Sequence, residues 1–158
     1  MHRRVRNAFT LVEILIVVVI LGILAAIVIP QFTNASQDAQ RGNIQTQLQS
    51  VRNQIELYRV KNNGTSPTMV GAGAAAFAQL ITPPAPQQSY VRTAPINPRN
   101  GSSEVAADSS ATYAATAAAA AAMDPAAGGA PGWIYNAATG AFSAVGFNET
   151  TNKWFGEP

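Results

Sequence analysis

The strongest constraint on this chain is a run from Ile14 to Ile29 that carries no polar or charged side chain, with a single carboxylate, Glu13, at its entrance. As a helix rising about 1.5 Å per residue, the stretch from Phe9 to Ile29 covers about 30 Å, the thickness of a bilayer's hydrocarbon core. An unpaired acid at the edge of such a segment is costly and therefore marks a functional position. A secretory signal peptide would need a small-x-small cleavage site beyond the run. Ala25-Ala26 has that composition, but apolar residues continue past it. A plain single-pass anchor accounts for the length and gives Glu13 no purpose. The basic stretch His2-Arg3-Arg4-Val5-Arg6 is expected to stay cytoplasmic, which places everything after Pro30 outside the cytoplasmic membrane.

The order of these features, from Arg6 to Phe32, resembles the N-terminal signature of type IV pilins and type II secretion pseudopilins. A short basic leader precedes Phe9-Thr10-Leu11-Val12-Glu13, and the apolar run then ends at Pro30. The resemblance implies cleavage by a prepilin peptidase between Ala8 and Phe9 and N-methylation of the new Phe9 amine. It also implies pairing of that amine with Glu13 during subunit assembly, within one subunit or between neighbours. Residues three or four apart share a helix face, so the two groups are within reach of each other. Gly22 and Pro30 are the positions where the helix bends most cheaply, and in this family such positions permit local melting on assembly. Ala8 departs from the pattern, since the family usually has Gly before the cut. Alanine is the smallest side-chain substitute, so processing is expected to survive.

The chain's 158 residues suffice for one domain plus an anchor. The formal net charge of +2 does not indicate a nucleic-acid partner, because Arg3, Arg4 and Arg6 lie in the leader. Without residues 1–8, Lys and Arg fall from 10 to 7 against 8 Asp and Glu, and no basic stripe is left for phosphates. There is no cysteine, hence no disulfide, thiolate metal site or acylated Cys. His2 is the only histidine, so beyond the leader no imidazole is present for acid–base or metal chemistry.

After Pro30 the sequence turns polar, and apolar residues recur as Ile44, Leu48, Val51, Ile55 and Tyr58. That spacing is one stripe of an amphipathic helix over 30–63, stopped by Asn62-Asn63-Gly64. The stripe either packs on a C-terminal domain or forms a short coiled-coil seam. The segment from Leu57 to Pro67 also resembles the helix end of the major pseudopilins. In the domain from 64 to 158, Gly73–Ile81 reads as one short helix with Phe77, Leu80 and Ile81 inward, ended by Pro83 and Pro84. Residues 90–98 read as extended or turn-like before the prolines. The alanine-rich stretch 106–127 reads as a poorly packed helix or a mobile insertion. Trp133–Tyr135 and Ala141–Val145 flank a Gly-containing turn and read as a β-hairpin (133–145), with Lys153–Phe155 as an edge strand. The hairpin also resembles the closing hairpin of pseudopilin-like proteins. Together these features predict an α+β, pilin-like fold. In it a long N-terminal transmembrane-plus-amphipathic helix packs on a small antiparallel β-sheet domain.

No catalytic set is visible: there is no Gly-x-Ser-x-Gly, P-loop or dinucleotide fingerprint, and no close carboxylate pair. Major pseudopilins commonly bind calcium in a distal loop. Here Asn97, Asn100, Ser102, Glu104 and Asp108 are the candidate oxygen donors, against the plainer reading of a solvated polar turn.

The expected function is therefore that of a structural subunit of a type II secretion pseudopilus. It would be processed by prepilin peptidase, held in the inner membrane with its domain in the periplasm, and polymerised with copies of itself and other pseudopilins at an assembly platform. The alternatives are a type IV pilin of an adhesion, motility or DNA-uptake pilus, and a single-pass membrane-anchored binding protein that does not polymerise. An enzyme is the remotest reading. Ala8→Gly is expected to be cut at least as fast as the wild type. N-terminal mass spectrometry over a processing time course measures this, and slower cleavage would place the junction elsewhere.

Overall fold

A computed structural model describes residues 9–157. The leader, including Ala8, lies outside the described residues. The chain divides between Ala39 and Gln40 into two compact units, and the division falls inside the first helix, α1 (Leu11–Lys61).

In the first unit α1 is apolar on every side from Ile14 to Ile29. Its Ile, Leu and Val residues up to Ile29 are between 41% and 81% exposed. A helix with that character needs a non-aqueous surrounding. It runs unbroken through Gly22 and Pro30. Pro30 has no N–H, so the ladder bond to the Ala26 carbonyl is missing there. One turn on, the Thr33 hydroxyl donates to the Ile29 carbonyl at 3.2 Å.

In the second unit α1 becomes amphipathic as its sequence dictates. Ile44, Leu48, Val51, Ile55 and Tyr58 are its buried residues. The helix ends at Lys61 because Asn63 and Gly64 take positive φ, 53° and 83°. The Gly64 N–H then donates to the Arg59 carbonyl at 2.8 Å, closing the terminus.

The stripe faces a three-stranded sheet of order β1-β2-β3, formed by β1 (Val105–Ala107), β2 (Trp133–Asn136) and β3 (Ala141–Ala144). The expected hairpin is present, with β2 and β3 antiparallel and Tyr135 opposite Phe142. Alternation along β2 sends Trp133 and Tyr135 into the core with the α1 stripe, and Ile134 to the other face. Trp133 stacks on Phe142 at 5.1 Å, and Phe77 meets Phe142 edge-on at 6.1 Å.

Four expectations change in detail. The sheet is mixed, because β1 runs parallel to β2 with Val105 opposite Trp133. A parallel neighbour demands a crossover, and the alanine-rich stretch supplies it. Ala106 and Ala107 belong to β1, and α4 (Tyr113–Ala122) carries the chain across to β2. Within the stretch, α4 is a helix packed on the sheet. Thr112 caps it, and Thr116 and Ala120 are buried against the sheet face that Ile134 and Val145 occupy. Small side chains let it lie close, and the Gly146 N–H reaches the Ala120 carbonyl at 2.8 Å. The single short helix at 73–81 is two turns, α2 (Gly73–Ala76) and α3 (Ala78–Ile81), interrupted at the buried Phe77. Finally, β5 (Lys153–Trp154) does not edge the sheet. It pairs with β4 (Phe147–Asn148) in a separate hairpin, where Phe147 and Trp154 contact at 5.1 Å.

Polar groups fix α4 in place. Asp108 follows β1, and its Oδ2 accepts the Thr116 hydroxyl at 2.6 Å while Oδ1 accepts the Ser110 hydroxyl at 2.9 Å. The buried Asn136 amide donates to the Ser110 carbonyl at 2.8 Å, tying the end of β2 to the same cluster. The Thr116 hydroxyl holds the Asp108 carboxyl below its usual value of 3.8, partly opposed by desolvation. A carboxylate whose folded pKa is depressed adds stability above the unfolded pKa, and that stability disappears as pH falls through the folded value. Asp108→Asn is therefore expected to flatten the loss of stability below about pH 4. Urea midpoints measured from pH 5 to pH 2 check this, and an unchanged slope would remove Asp108 from the account.

Candidate assembly site

The start of α1 is built by a reciprocal pair. The Glu13 N–H donates to Thr10 Oγ1 at 3.2 Å, and both the N–H and the hydroxyl of Thr10 donate to Glu13 Oε2 at 2.9 Å. This is a capping box, in which the N-cap hydroxyl and the third helical carboxylate satisfy each other's backbone donors. It answers the question of how an acid is tolerated at the head of an apolar helix. The first-turn N–H groups and the positive end of the helix dipole favour a negative charge at that point. None of these bonds uses Glu13 Oε1, which leaves that oxygen for another donor. Phe9, immediately before the cap, is 79% exposed.

Thr10 was not among the expected site residues, although its signal was present. A threonine three residues before a glutamate at the head of an apolar run is the sequence form of a capping box. Glu13 lies in the first turn of α1, and Phe9 precedes the helix by two residues. Gly22 and Pro30 lie along the apolar part of the same helix.

The side chains of Asn97, Asn100, Ser102 and Asp108 are engaged in hydrogen bonds. The buried Asn97 side-chain amide donates to the carbonyls of Gly132 and Val145 at 2.9 and 3.1 Å, while its oxygen accepts the Arg99 N–H. The Asn100 amide donates to the Pro131 carbonyl and its oxygen accepts the Ser102 N–H. The Ser102 hydroxyl accepts the Glu104 N–H, and Asp108 is committed to Thr116 and Ser110. Among the described residues no three acidic, imidazole or thiolate groups converge. Calcium takes six to eight oxygens, and the carboxylates among these candidates are Glu104 and Asp108.

Two ion pairs fasten α1 to the C-terminal part of the second unit. Arg52 grips both carboxylate oxygens of Glu149 at 2.7 and 2.6 Å and also donates to the Phe142 carbonyl. Arg41 meets Glu157 at 2.7 Å, and the same carboxylate oxygen accepts the Trp154 N–H at 2.9 Å.

Comparison with known proteins agrees with this geometry. Residues 3–29 match the family model of the prokaryotic N-terminal methylation motif. Type II secretion system core protein G of Klebsiella michiganensis is 29% identical over 68% of this chain and 78% of its own length. The core protein G of Klebsiella pneumoniae is 31% identical over 59% of this chain and 69% of its own. That of Pseudomonas aeruginosa is 31% identical over 62% and 71%. No solved structure matches the chain. The methylation motif, the capped apolar helix and identity spread over more than half of the chain give one conclusion: this chain belongs to the family of type II secretion system core protein G, the major pseudopilins.

Proposed function

We propose that this protein is the structural subunit of a type II secretion pseudopilus and that the Thr10–Glu13 cap is the centre of its assembly chemistry. The carrying observation is that the one carboxylate next to the apolar segment is held in the first turn of α1 by Thr10, the residue that follows Phe9. Prepilin peptidase cuts after Ala8 and frees the Phe9 amine, which is then methylated. Before assembly the apolar half of α1 sits in the inner membrane and the second unit faces the periplasm. On assembly the subunit leaves the bilayer and its apolar helix packs among others. Outside water a lone carboxylate is costly, so pairing Glu13 with the Phe9 amine of a neighbour favours one axial register. The pairing also penalises subunits that enter uncut. Similarity to core protein G favours a secretion pseudopilus over an adhesion or motility pilus.

Glu13→Ala is expected to leave cleavage and methylation intact and to abolish incorporation into filaments. N-terminal mass spectrometry and electron microscopy of sheared filaments read the two steps separately, and normal filaments from this variant would end the charge-pairing account. Thr10→Val removes the cap hydroxyl. It is expected to raise amide hydrogen exchange at Thr10 and Glu13 in detergent micelles, with Thr10→Ser restoring protection; equal exchange in all three proteins would show that the cap does not hold the helix start.

A further inference from the structure

In the first unit, one apolar line of α1 runs on beyond Pro30. At about 100° per residue, Leu21, Ala25, Val28, Ile29 and Phe32 fall within about 60° of one line along the helix. Ala35 and Ala39 continue that line. Gln31, Thr33, Asn34, Gln37 and Asp38 fall on the other side. The helix is unbroken through this stretch, and the Thr33 hydroxyl turns back onto the Ile29 carbonyl. Phe32 is 72% exposed, and Ala35 and Ala39 are exposed as well. A large aromatic ring therefore stands alone on the apolar side of an otherwise polar stretch. The run from Ile14 to Ile29 covers only about 24 Å as a helix, short of a hydrocarbon core of about 30 Å. Extending it the other way takes in the charge of Glu13. Extending it to Phe32 brings it to about 28 Å and takes in only Pro30, which has no N–H, and Gln31, which is neutral and on the polar side.

We propose that Phe32 is an interfacial anchor. In the waiting subunit the side of α1 that carries Phe32, Ala35 and Ala39 settles into the boundary between lipid headgroups and acyl chains at the Pro30 end of the span. This part of the helix then leans toward that side. The inference rests on the reading of the apolar segment as membrane-spanning and adds to it a depth and a direction of tilt. Lipid is selected as the partner by continuity, because the Phe32 line runs straight on from side chains that face hydrocarbon. Burial of the ring follows the hydrophobic gradient. No ion loses its water in the process, since no charged residue lies between Glu13 and Asp38, and Asp38 is on the polar side. Membrane helices tilt by about 20° on average, and a one-sided apolar face at the interface decides which way. The anchor gives the waiting subunit a single axial position, and Phe32 has to be lifted out of the boundary when the subunit leaves the bilayer.

The chain has no cysteine, so single nitroxide labels can be attached at chosen positions. The test labels Ala35→Cys and Asn34→Cys separately, in the full-length protein in vesicles of phosphatidylethanolamine and phosphatidylglycerol. The two positions lie on opposite sides of the helix and only about 1.5 Å apart along it. Collisions with oxygen, which concentrates in lipid, and with a water-soluble nickel chelate report the depth of each label. The oxygen-to-nickel ratio is expected to be about threefold or more higher at Ala35 than at Asn34. An upright helix gives equal values or the reverse order, because Ala35 is further from the membrane centre along the helix, and that result would overturn the anchor. Phe32→Ser is expected to bring the two ratios together, and a retained difference would take Phe32 out of the account. Spin–spin broadening confined to the Ala35 label would assign this side to a second copy and overturn the lipid contact. A label at Val18→Cys separates the two readings. It is expected to be open to oxygen and closed to nickel, and nickel access there would overturn the membrane-spanning reading itself.

Discussion

The second unit depends on the burial of one helical stripe. Ile44, Leu48, Val51 and Ile55 are at most 3% exposed and meet the aromatic layer of Trp133, Tyr135 and Phe142. Each such aliphatic side chain contributes about 1.5–3 kcal/mol when fully buried. An exposed ion pair contributes about 0–1 kcal/mol. The pairs made by Arg41 and Arg52, with side chains 15–27% exposed, lie between surface and interior. Packing therefore holds the helix to the sheet, and the arginines set its rotation. That division matters because one helix must serve two environments. Its first half has no preferred side, whereas its second half must present one side inward.

The sheet is a consequence of the same constraint. A sheet face covered by α1 leaves an opposite face that also carries apolar side chains, here Ile134 and Val145. The crossover from β1 to β2 has to cover them, and α4 does so with the smallest residues available. Close approach replaces large contact area. Because alanine gives a helix little shape, the position of α4 is fixed by polar contacts at its start, Thr112 to the Ala115 N–H and Thr116 to Asp108.

The parts written in periodic patterns were legible in the sequence: the apolar run, the stripe from Ile44 to Tyr58, the Asn63-Gly64 stop and the hairpin around 137–140. The parts that failed are those without a period. A run of alanine has no inside or outside, so burial of Thr116 and Ala120 could not be read from it. The strand Val105–Ala107 is too short to show alternation, which hid the parallel pairing. At the site, Glu13 was legible as an acid beside a membrane segment. Its hydrogen bonds to Thr10 follow from the Thr-x-x-Glu spacing. In the loop after Pro95, the asparagines looked like oxygen donors. The fold uses both ends of their amides: the nitrogens hold the carbonyls of Gly132, Val145 and Pro131, and the oxygens accept the N–H groups of Arg99 and Ser102.

The outward side of α4 has a practical meaning. Ala114, Ala115, Ala118, Ala119 and Ala122 of this helix are exposed or nearly so, and the helix keeps its place through Thr112, Thr116 and Ala120. Side chains added at Ala115, Ala119 and Ala122 extend into solvent, whereas Ala114 and Ala118 border a hollow with Glu149. The helix is thus a plain backing plate, and its outer rows can take a label, an epitope or a dye without asking the sheet beneath to move. That gives this filament-forming fold a place where it can be marked from outside while its inner surfaces stay as they are.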